Sequence, residues 1–449
     1  MSKIITIFFF VFLIIISSCS KKESTLDEKF AEIVPQWLEK YEVPAVGIGI
    51  IENGEIVFLK VYGELQKGIP APDNTIFNVA SITKTVTTML TLKLVDKGQW
   101  DLDEPLSNYW IDPDIANSPY LNLLTTRHVL THTTGFLNWR WNHPTYKLTF
   151  EFKPGTKFQY SGEGFEYLRK ALERKFNKSF DQLADSLLFK PIGMKNTSLS
   201  WDRIKDKSRF AEWHDNKGEK CEFSQYFVKE TGVSAADDLL TTIEDYCKFG
   251  IYVMNGAGIS STLFDDMVKP QSNISEYRAT GLGWFLINGL PNEEYAIQHG
   301  GSDSGVRTMA IFLPKSKRGI VVFTNGDNGI EIYNNVIKES LDIGNEIYNN
   351  LYYRPNIPKM VNVSKEILAR YVGSYQYPDN SLEYISISDN GLVMTGEGAK
   401  TFIYPQSENK FFHREDDVQV EFISNDKGLV VKMIIYEDSN IYAEANKIE

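Results

Sequence analysis

The chain has 449 residues, 42% of them hydrophobic and 13% aromatic, which is enough apolar material for a large core and too much chain for one small domain. Acidic residues outnumber basic ones 59 to 47, giving a formal charge of -12. That balance offers no electrostatic footprint for phosphates and argues against a nucleic-acid partner.

The chain opens on Lys3, an apolar run from Ile4 to Ile16, and then Ser17, Ser18 and Cys19. The run is shorter than the ~20 residues a membrane-spanning helix needs, so it reads as a secretion signal. Ile16-Ser17-Ser18-Cys19 resembles a bacterial lipobox. Cleavage before Cys19 would make 1–18 a signal peptide, leave Cys19 lipidated, and make 19–25 a polar tether. An uncleaved anchor is the alternative. Either way the remainder is expected at the bacterial cell envelope, held to a membrane. Cys221 and Cys247 are the other cysteines; both are expected as buried thiols, and the sequence alone does not decide whether they pair.

Apolar residues at helical spacing (Leu26, Phe30, Ile33, Val34, Trp37, Leu38) predict an amphipathic helix over 26–40. Two β-rich runs, Ala45 to Ile51 and Glu55 to Tyr62, flank Asn53-Gly54, the turn chemistry of a tight hairpin. From Ile82 to about Leu240 the pattern is helical and interrupted by loops, which predicts a helical subdomain. Strand signals return at Gly281 to Ile287, Tyr295 to His299, Val306 to Leu313 and Gly319 to Asn325, followed by a helix over Asn328 to Tyr352. These strands are expected to share one sheet with the hairpin. After prolines at 355 and 358, short alternating segments such as Leu382 to Ile387, Gly391 to Thr395 and Leu429 to Tyr436 predict a second, all-β domain. The expected fold class is thus α+β: an antiparallel sheet with flanking helices and a helical subdomain over 26–352, then a small all-β domain over 359–449.

The sharpest chemical signal is Asn78-Val79-Ala80-Ser81-Ile82-Thr83-Lys84, followed by a run to Asp96 without Gly or Pro. A serine at a helix N-terminus gains from oriented N–H groups, and a lysine three residues on lies on the same face, one turn away. An amine so placed can take the hydroxyl proton when its surroundings disfavour its charge. The spacing alone is weak, since it recurs at Ser18/Lys21, Ser407/Lys410 and Ser424/Lys427. Only Ser81 opens a long helix and precedes two further motifs. These are Tyr160-Ser161-Gly162 and His299-Gly300-Gly301-Ser302; a strand ending in glycines admits a substrate backbone, and a free N–H there could join that of Ser81 to hold an oxyanion.

Together, Ser81-x-x-Lys84, Tyr160-Ser161-Gly162 and His299-Gly300-Gly301 resemble the three-motif order of class C beta-lactamases, DD-peptidases and related serine esterases. Leu130 to Phe136, Pro154-Gly155, Gly193-Met194, Gly281 to Trp284 and Gly232 to Tyr246 resemble further phrases of that family. The resemblance implies a beta-lactamase/transpeptidase-like fold and acyl transfer through a covalent serine ester. Lys84 and Tyr160 would move the proton, and the N–H groups of Ser81 and Ser302 would form the oxyanion hole, with Gly301 and Gly162 beside the substrate. His299 would replace the third-motif lysine. A histidine there is expected to titrate near neutral pH, making capture of a substrate carboxylate weaker and pH-dependent. Gly162 stands where beta-lactamases of this class carry an asparagine, and its missing amide argues for a peptidase or esterase over an efficient beta-lactamase. The segment from Lys359, with Tyr371 to Tyr375, resembles the β-barrel-like domains appended to such hydrolases.

No G-x-S-x-G elbow is present, so an α/β-hydrolase site has no nucleophile. With no C-x-x-C or H-E-x-x-H, and with His128 and His132 lacking an acidic neighbour, neither metal nor cofactor is expected. His132 reads as a structural hydrogen-bonder rather than a base. Trp139, Trp141 and Tyr146 are candidates for lining a cleft. The expected partner is a small-molecule or peptide substrate: a wall peptide, a beta-lactam or an ester. The rival reading is a binding protein that holds wall peptides without turnover.

Overall fold

The computed structural model describes residues 23–221, 233–354, 357–388, 391–396, 400–414, 417–437 and 440–448. The segment expected to be a signal, with the lipobox-like residues and Cys19, and Gly232 of the 232–246 phrase, lie outside the described residues. None of the described helices is long and apolar enough to cross a membrane.

Helix α1 (Glu23–Tyr41) leads into strands β1 (Ala45–Glu52), β2 (Glu55–Gln66) and β3 (Ile69–Pro70). A two-stranded ladder pairs β4 (Phe77–Asn78) with β5 (Leu240–Thr241). Between them lie the helical elements, chiefly α2 (Thr83–Asp96), α3 (Thr126–Leu130) and α4 (Gly162–Phe176). Helix α5 (Ile243–Met254) follows, then β6 (Ser272–Asn273), β7 (Arg278–Thr280), β8 (Phe285–Ile287), β9 (Ala296–Asp303), β10 (Val306–Leu313) and β11 (Arg318–Thr324), and helices α6 (Gly329–Ser340) and α7 (Gly344–Leu351). The main sheet is nine-stranded in the order β3-β2-β1-β11-β10-β9-β8-β7-β6. The expected α+β architecture is present, with hairpin and later strands in one sheet.

β1 shows how the sequence builds the layers. Val46, Ile48 and Ile50 face a core shared with α1, α6 and α7, while Gly47 and Gly49 face α5. A Cβ on Gly47 would stand 2.5 Å from Ile243, and one on Gly49 2.4 Å from the Cys247 sulfur, so the alternation V-G-I-G-I lets α5 lie close on the sheet. Cys247 is buried beneath β1, but Cys221 is only half-buried, which corrects the expectation of two buried thiols; among the described residues neither forms a disulfide.

Two further expectations change. The strand foreseen over 281–287 forms only at Phe285–Ile287; residues 281–284 make the turn between β7 and β8, where Gly283 adopts φ 67° and its N–H donates to Leu130 O at 2.7 Å, tying the turn to the end of α3. The helix foreseen over 328–352 breaks after Ser340. Leu341 is extended, because it and Ile343 bury in the α1-side core while Asp342 pairs with Arg318 at 2.6 Å.

From Gly373 to Lys447 eight strands close an antiparallel barrel around Tyr375, Ile385, Leu392, Phe411, Val420 and Phe422. It seats on the hydrolase-like part through an ion pair from Lys400 to Glu42, the Phe402–Tyr41 ring contact at 6.0 Å and Arg414, which donates to the Tyr348 hydroxyl at 2.8 Å.

Candidate active site

Helix α2 is buried on nearly every side. Its threonines hold their hydroxyls inward, as in Thr88 to Lys84 O at 2.8 Å and Thr91 to Thr87 O at 2.7 Å, so a polar sequence satisfies itself in a core position. The residues before it form a 3-10 turn over Ala80–Ile82. Ala80 is buried at φ 46°, a left-handed conformation that costs a non-glycine residue about 1 kcal/mol or more. The turn is held by Asn78, whose Oδ1 accepts the Ala80 N–H at 2.9 Å, and by Thr308, which donates to Val79 O at 2.9 Å. The turn presents Ser81 to the cleft.

Lys84 is fully buried. Its Nζ donates to Ser81 Oγ at 3.0 Å and to Ala236 O at 3.0 Å, and stands 5.0 Å from the centroid of the Tyr160 ring. The Ala236 carbonyl is fixed by a pinned loop: Glu166 accepts from Ser234 Oγ at 3.0 Å and from Ala235 N at 2.6 Å. Asp237 and Asp238 follow. Burial pushes the Asp237 carboxyl up, and burial with the neighbouring Asp237 charge pushes Asp238 up to about 8.

Tyr160 stacks on His132 with centroids 4.3 Å apart. His132 is buried, and its Nδ1 accepts the Ser161 N–H at 3.1 Å, which leaves its proton on Nε2. Burial, reinforced by Lys84, holds its pKa well below the ordinary value. It is a neutral brace for the second motif, as its loop position suggested. Asn138 completes the brace by accepting the Gly162 N–H at 2.9 Å.

The same loop carries Trp139, stacked on Trp141 at 4.8 Å. A Cβ on Gly162 would lie 2.7 Å from the Trp139 ring, so the indole fills the space an asparagine side chain would need. Trp139 and Trp141 line the cleft. Tyr146, 71% exposed, is not part of that lining, which corrects its grouping with the two tryptophans.

The third motif lies on β9, pressed against the nucleophile turn: a Cβ on Gly301 would stand 2.2 Å from Val79 O. His299 departs from expectation. It is buried, its Nδ1 lies 2.7 Å from Gly300 O, and its Nε2 is sequestered without a partner. The carbonyl fixes the proton on Nδ1, leaving Nε2 a bare acceptor. Burial, then the Lys84 charge, drives its pKa down to about 3. His299 is therefore neutral at neutral pH, not the titrating cation the sequence suggested.

Ser81, Tyr160, His299, Gly300, Gly301 and Ser302 all line one cleft of about 960 Å³. Gly162 is buried behind Trp139, and Lys84 is buried under Ser81. Asp237, Phe285 and Arg278 are among the cleft residues that the sequence motifs do not single out. Phe285 follows directly on the Gly281 to Trp284 phrase, but Arg278 belongs to no motif. Among the described residues no cluster of metal-ligating side chains occurs.

The Beta-lactamase family model matches residues 30–339, and a domain of unknown function, DUF3471, matches 358–447. Penicillin-binding protein 4* of Bacillus subtilis is 24% identical over 426 residues, covering 87% of this chain and 92% of that protein. Among solved structures, the octameric penicillin-binding protein homologue from Pyrococcus abyssi superposes with a TM-score of 0.64 at 18% identity, covering 94% of this chain and all of that one. EstCE1, a hydrolase with promiscuous acyltransferase activity, superposes at 0.59 with 15% identity, over 68% of this chain and 95% of its own.

Proposed function

The chain belongs to the Beta-lactamase family, and from the geometry of its cleft we propose a serine hydrolase that acts on esters or amides through an acyl-enzyme at Ser81. The observation that carries this reading is the 3.0 Å contact between Lys84 Nζ and Ser81 Oγ, made by a fully buried amine at the floor of the cleft. With Nζ unprotonated the same contact runs from the serine hydroxyl to the amine. Ser81 Oγ then bonds to the substrate carbonyl carbon as its proton passes to Lys84. Collapse of the tetrahedral species breaks the bond to the leaving alcohol or amine, which takes the Tyr160 hydroxyl proton while Lys84 returns a proton to Tyr160. Water attacks the serine ester by the reverse relay and releases the acid. The backbone N–H groups of Ser81 and Ser302 are assigned to the oxyanion, with Gly301 keeping β9 close enough for both.

Substrate choice follows from the two departures. Trp139 over Gly162 leaves no amide for an acylamino group, and neutral His299 supplies no cation to hold a carboxylate. Both favour an ester or peptide substrate over a beta-lactam, in keeping with a hydrolase such as EstCE1 among the structural neighbours. The reading includes attachment to the bacterial envelope through lipidated Cys19; Cys19→Ala is expected to shift the protein from the membrane to the soluble fraction.

A fluorophosphonate probe tests the nucleophile: labelling is expected in the wild type and absent in Ser81→Ala. Wild-type protein that never labels would support a wall-peptide binder without turnover. Hydrolysis measured side by side on nitrocefin, a D-alanyl-D-alanine peptide and a short-chain ester then ranks the substrate classes, with nitrocefin expected last.

A further inference from the structure

We propose that Arg278 docks a carboxylate of the substrate, separated from the scissile carbonyl by an apolar stretch; for its kinetic arm this rests on Ser81 being the nucleophile. Arg278 lines the same cleft as Ser81. Its Nε is shut off from solvent and has no hydrogen-bond partner, and among the described residues its guanidinium forms no ion pair. A half-buried guanidinium without a counter-ion is costly, and a ligand carboxylate would satisfy its terminal N–H groups, which are not shut off as Nε is. Burial already weakens its hold on the proton, the mark of a charge lacking compensation.

The other cationic candidates in the cleft are committed or neutral. Arg307 pairs with Asp327 at 3.1 Å and donates to Val306 O at 2.7 Å. His299 is a neutral ring whose Nδ1 faces the Gly300 carbonyl and whose Nε2 is buried, so it offers no cation to a carboxylate. Asp237 borders the nucleophile end and, when ionised, repels one. An anionic group is therefore disfavoured beside the nucleophile and satisfied at the far end.

Strand register sets the separation. Arg278 pairs with Ile287, and Ile287 with Ala296, while Ser302 lies six residues beyond Ala296 on β9. That is roughly 20 Å along the strand at ~3.4 Å per residue, with a cross-strand offset of about 10 Å. Arg278, Gln298 and Ser302 share one face of the sheet by alternation. The cleft between is lined by Met309, Tyr333, Leu351 and Tyr352, a surface suited to methylenes or rings. The implied substrate is elongated, with an apolar middle and an acidic end.

The test uses the p-nitrophenyl half-esters of dicarboxylic acids from glutaric to dodecanedioic acid, each beside its methyl-capped, neutral counterpart of equal length. In the wild type the ratio of kcat/KM, acid over capped, is expected to rise about tenfold in the longer members. Arg278→Gln should return that ratio to near that of the short members, and Arg278→Lys should retain part of it. A ratio that Arg278→Gln leaves unchanged overturns the proposal, even if both rates fall together. Calorimetry provides a readout free of catalysis: the monomethyl ester of sebacic acid should bind the Ser81→Ala protein, and adding Arg278→Gln should weaken binding at least tenfold. Equal binding to both, or none to either, also overturns it. If the wild type cleaves no ester of the series, the acyl-serine reading fails, and calorimetry alone decides the role of Arg278.

Discussion

Restoring the asparagine of the second motif is expected to injure this protein rather than convert it into a beta-lactamase. At Gly162 an added Cβ would lie 2.7, 2.8 and 3.0 Å from three carbons of the Trp139 ring, against an optimum of ~3.5–4.0 Å for carbon pairs. The indole would have to retreat by about 1 Å before the rest of the new side chain is placed. It is stacked on Trp141 at 4.8 Å, and the Trp139 backbone N–H donates to Asn142 Oδ1 at 3.1 Å, so retreat disturbs a built loop. Overpacking of this kind costs about 1–3 kcal/mol, a fall in Tm of several degrees. Thermal unfolding of Gly162→Asn, Trp139→Ala and the double variant forms the cycle. Trp139→Ala should recover most of the loss caused by Gly162→Asn, giving strong non-additivity, and Gly162→Asn alone should not raise nitrocefin turnover. If Gly162→Asn matches the wild type in Tm, or if the two losses simply add, then Trp139 does not fill the asparagine space and the argument from that space to substrate choice fails.

Three other outcomes are expected. Lys84→Met keeps an apolar side chain of similar length in the buried site but removes the amine, and kcat on a short ester should fall by about 10²–10⁴-fold with fold retained; a fall under threefold would dismiss Lys84 as the proton carrier. Asp238 holds its proton in the fold up to about pH 8 but releases it near 3.8 when unfolded, so the folded state binds more protons in that window and stability declines as pH rises through it. Asp238→Asn, whose Oδ1 can still accept the Ser234 N–H now bonded at 2.7 Å, should match the wild type in Tm near pH 4 and exceed it increasingly toward pH 8; a gap independent of pH would refute the assignment. Removing 359–449 uncovers Tyr41 and Tyr348, which the barrel touches, so Tm should fall while Ser81 still reacts with fluorophosphonate. Complete loss of labelling in a folded truncation would show that the barrel completes the site.

The order of strands, the hairpin, the helix carrying Ser81 and the all-β segment after 358 were legible because each rests on local periodicity or turn chemistry. Where the reading slipped, a tertiary contact decided. The strand foreseen over 281–287 is confined to Phe285–Ile287 because Gly283 turns and bonds to the end of α3, and the helix after 328 breaks where Leu341 and Ile343 find the α1-side core. In the site, identity and spacing pointed to Ser81, Lys84 and Tyr160, whose separation on the chain is bridged by bonds that only the fold supplies, such as Ser161 to His132.

Charge was the part least visible in the sequence. A histidine at 299 is a titratable residue on paper; burial, the Lys84 charge and the Gly300 carbonyl make it a neutral acceptor. Arg278 is an unremarked residue in a short strand until register sets it across from Ile287, and Ile287 across from Ala296, in a wall of the cleft where no carboxylate among the described residues pairs with it. The two observations bear on each other. With Ser81 as the proposed nucleophile, a neutral residue beside it and a guanidinium without an ion pair among the described residues at the other end would set the positive charge away from the reacting carbonyl, and on the proposed reading length, rather than the ring of a beta-lactam, would select the substrate.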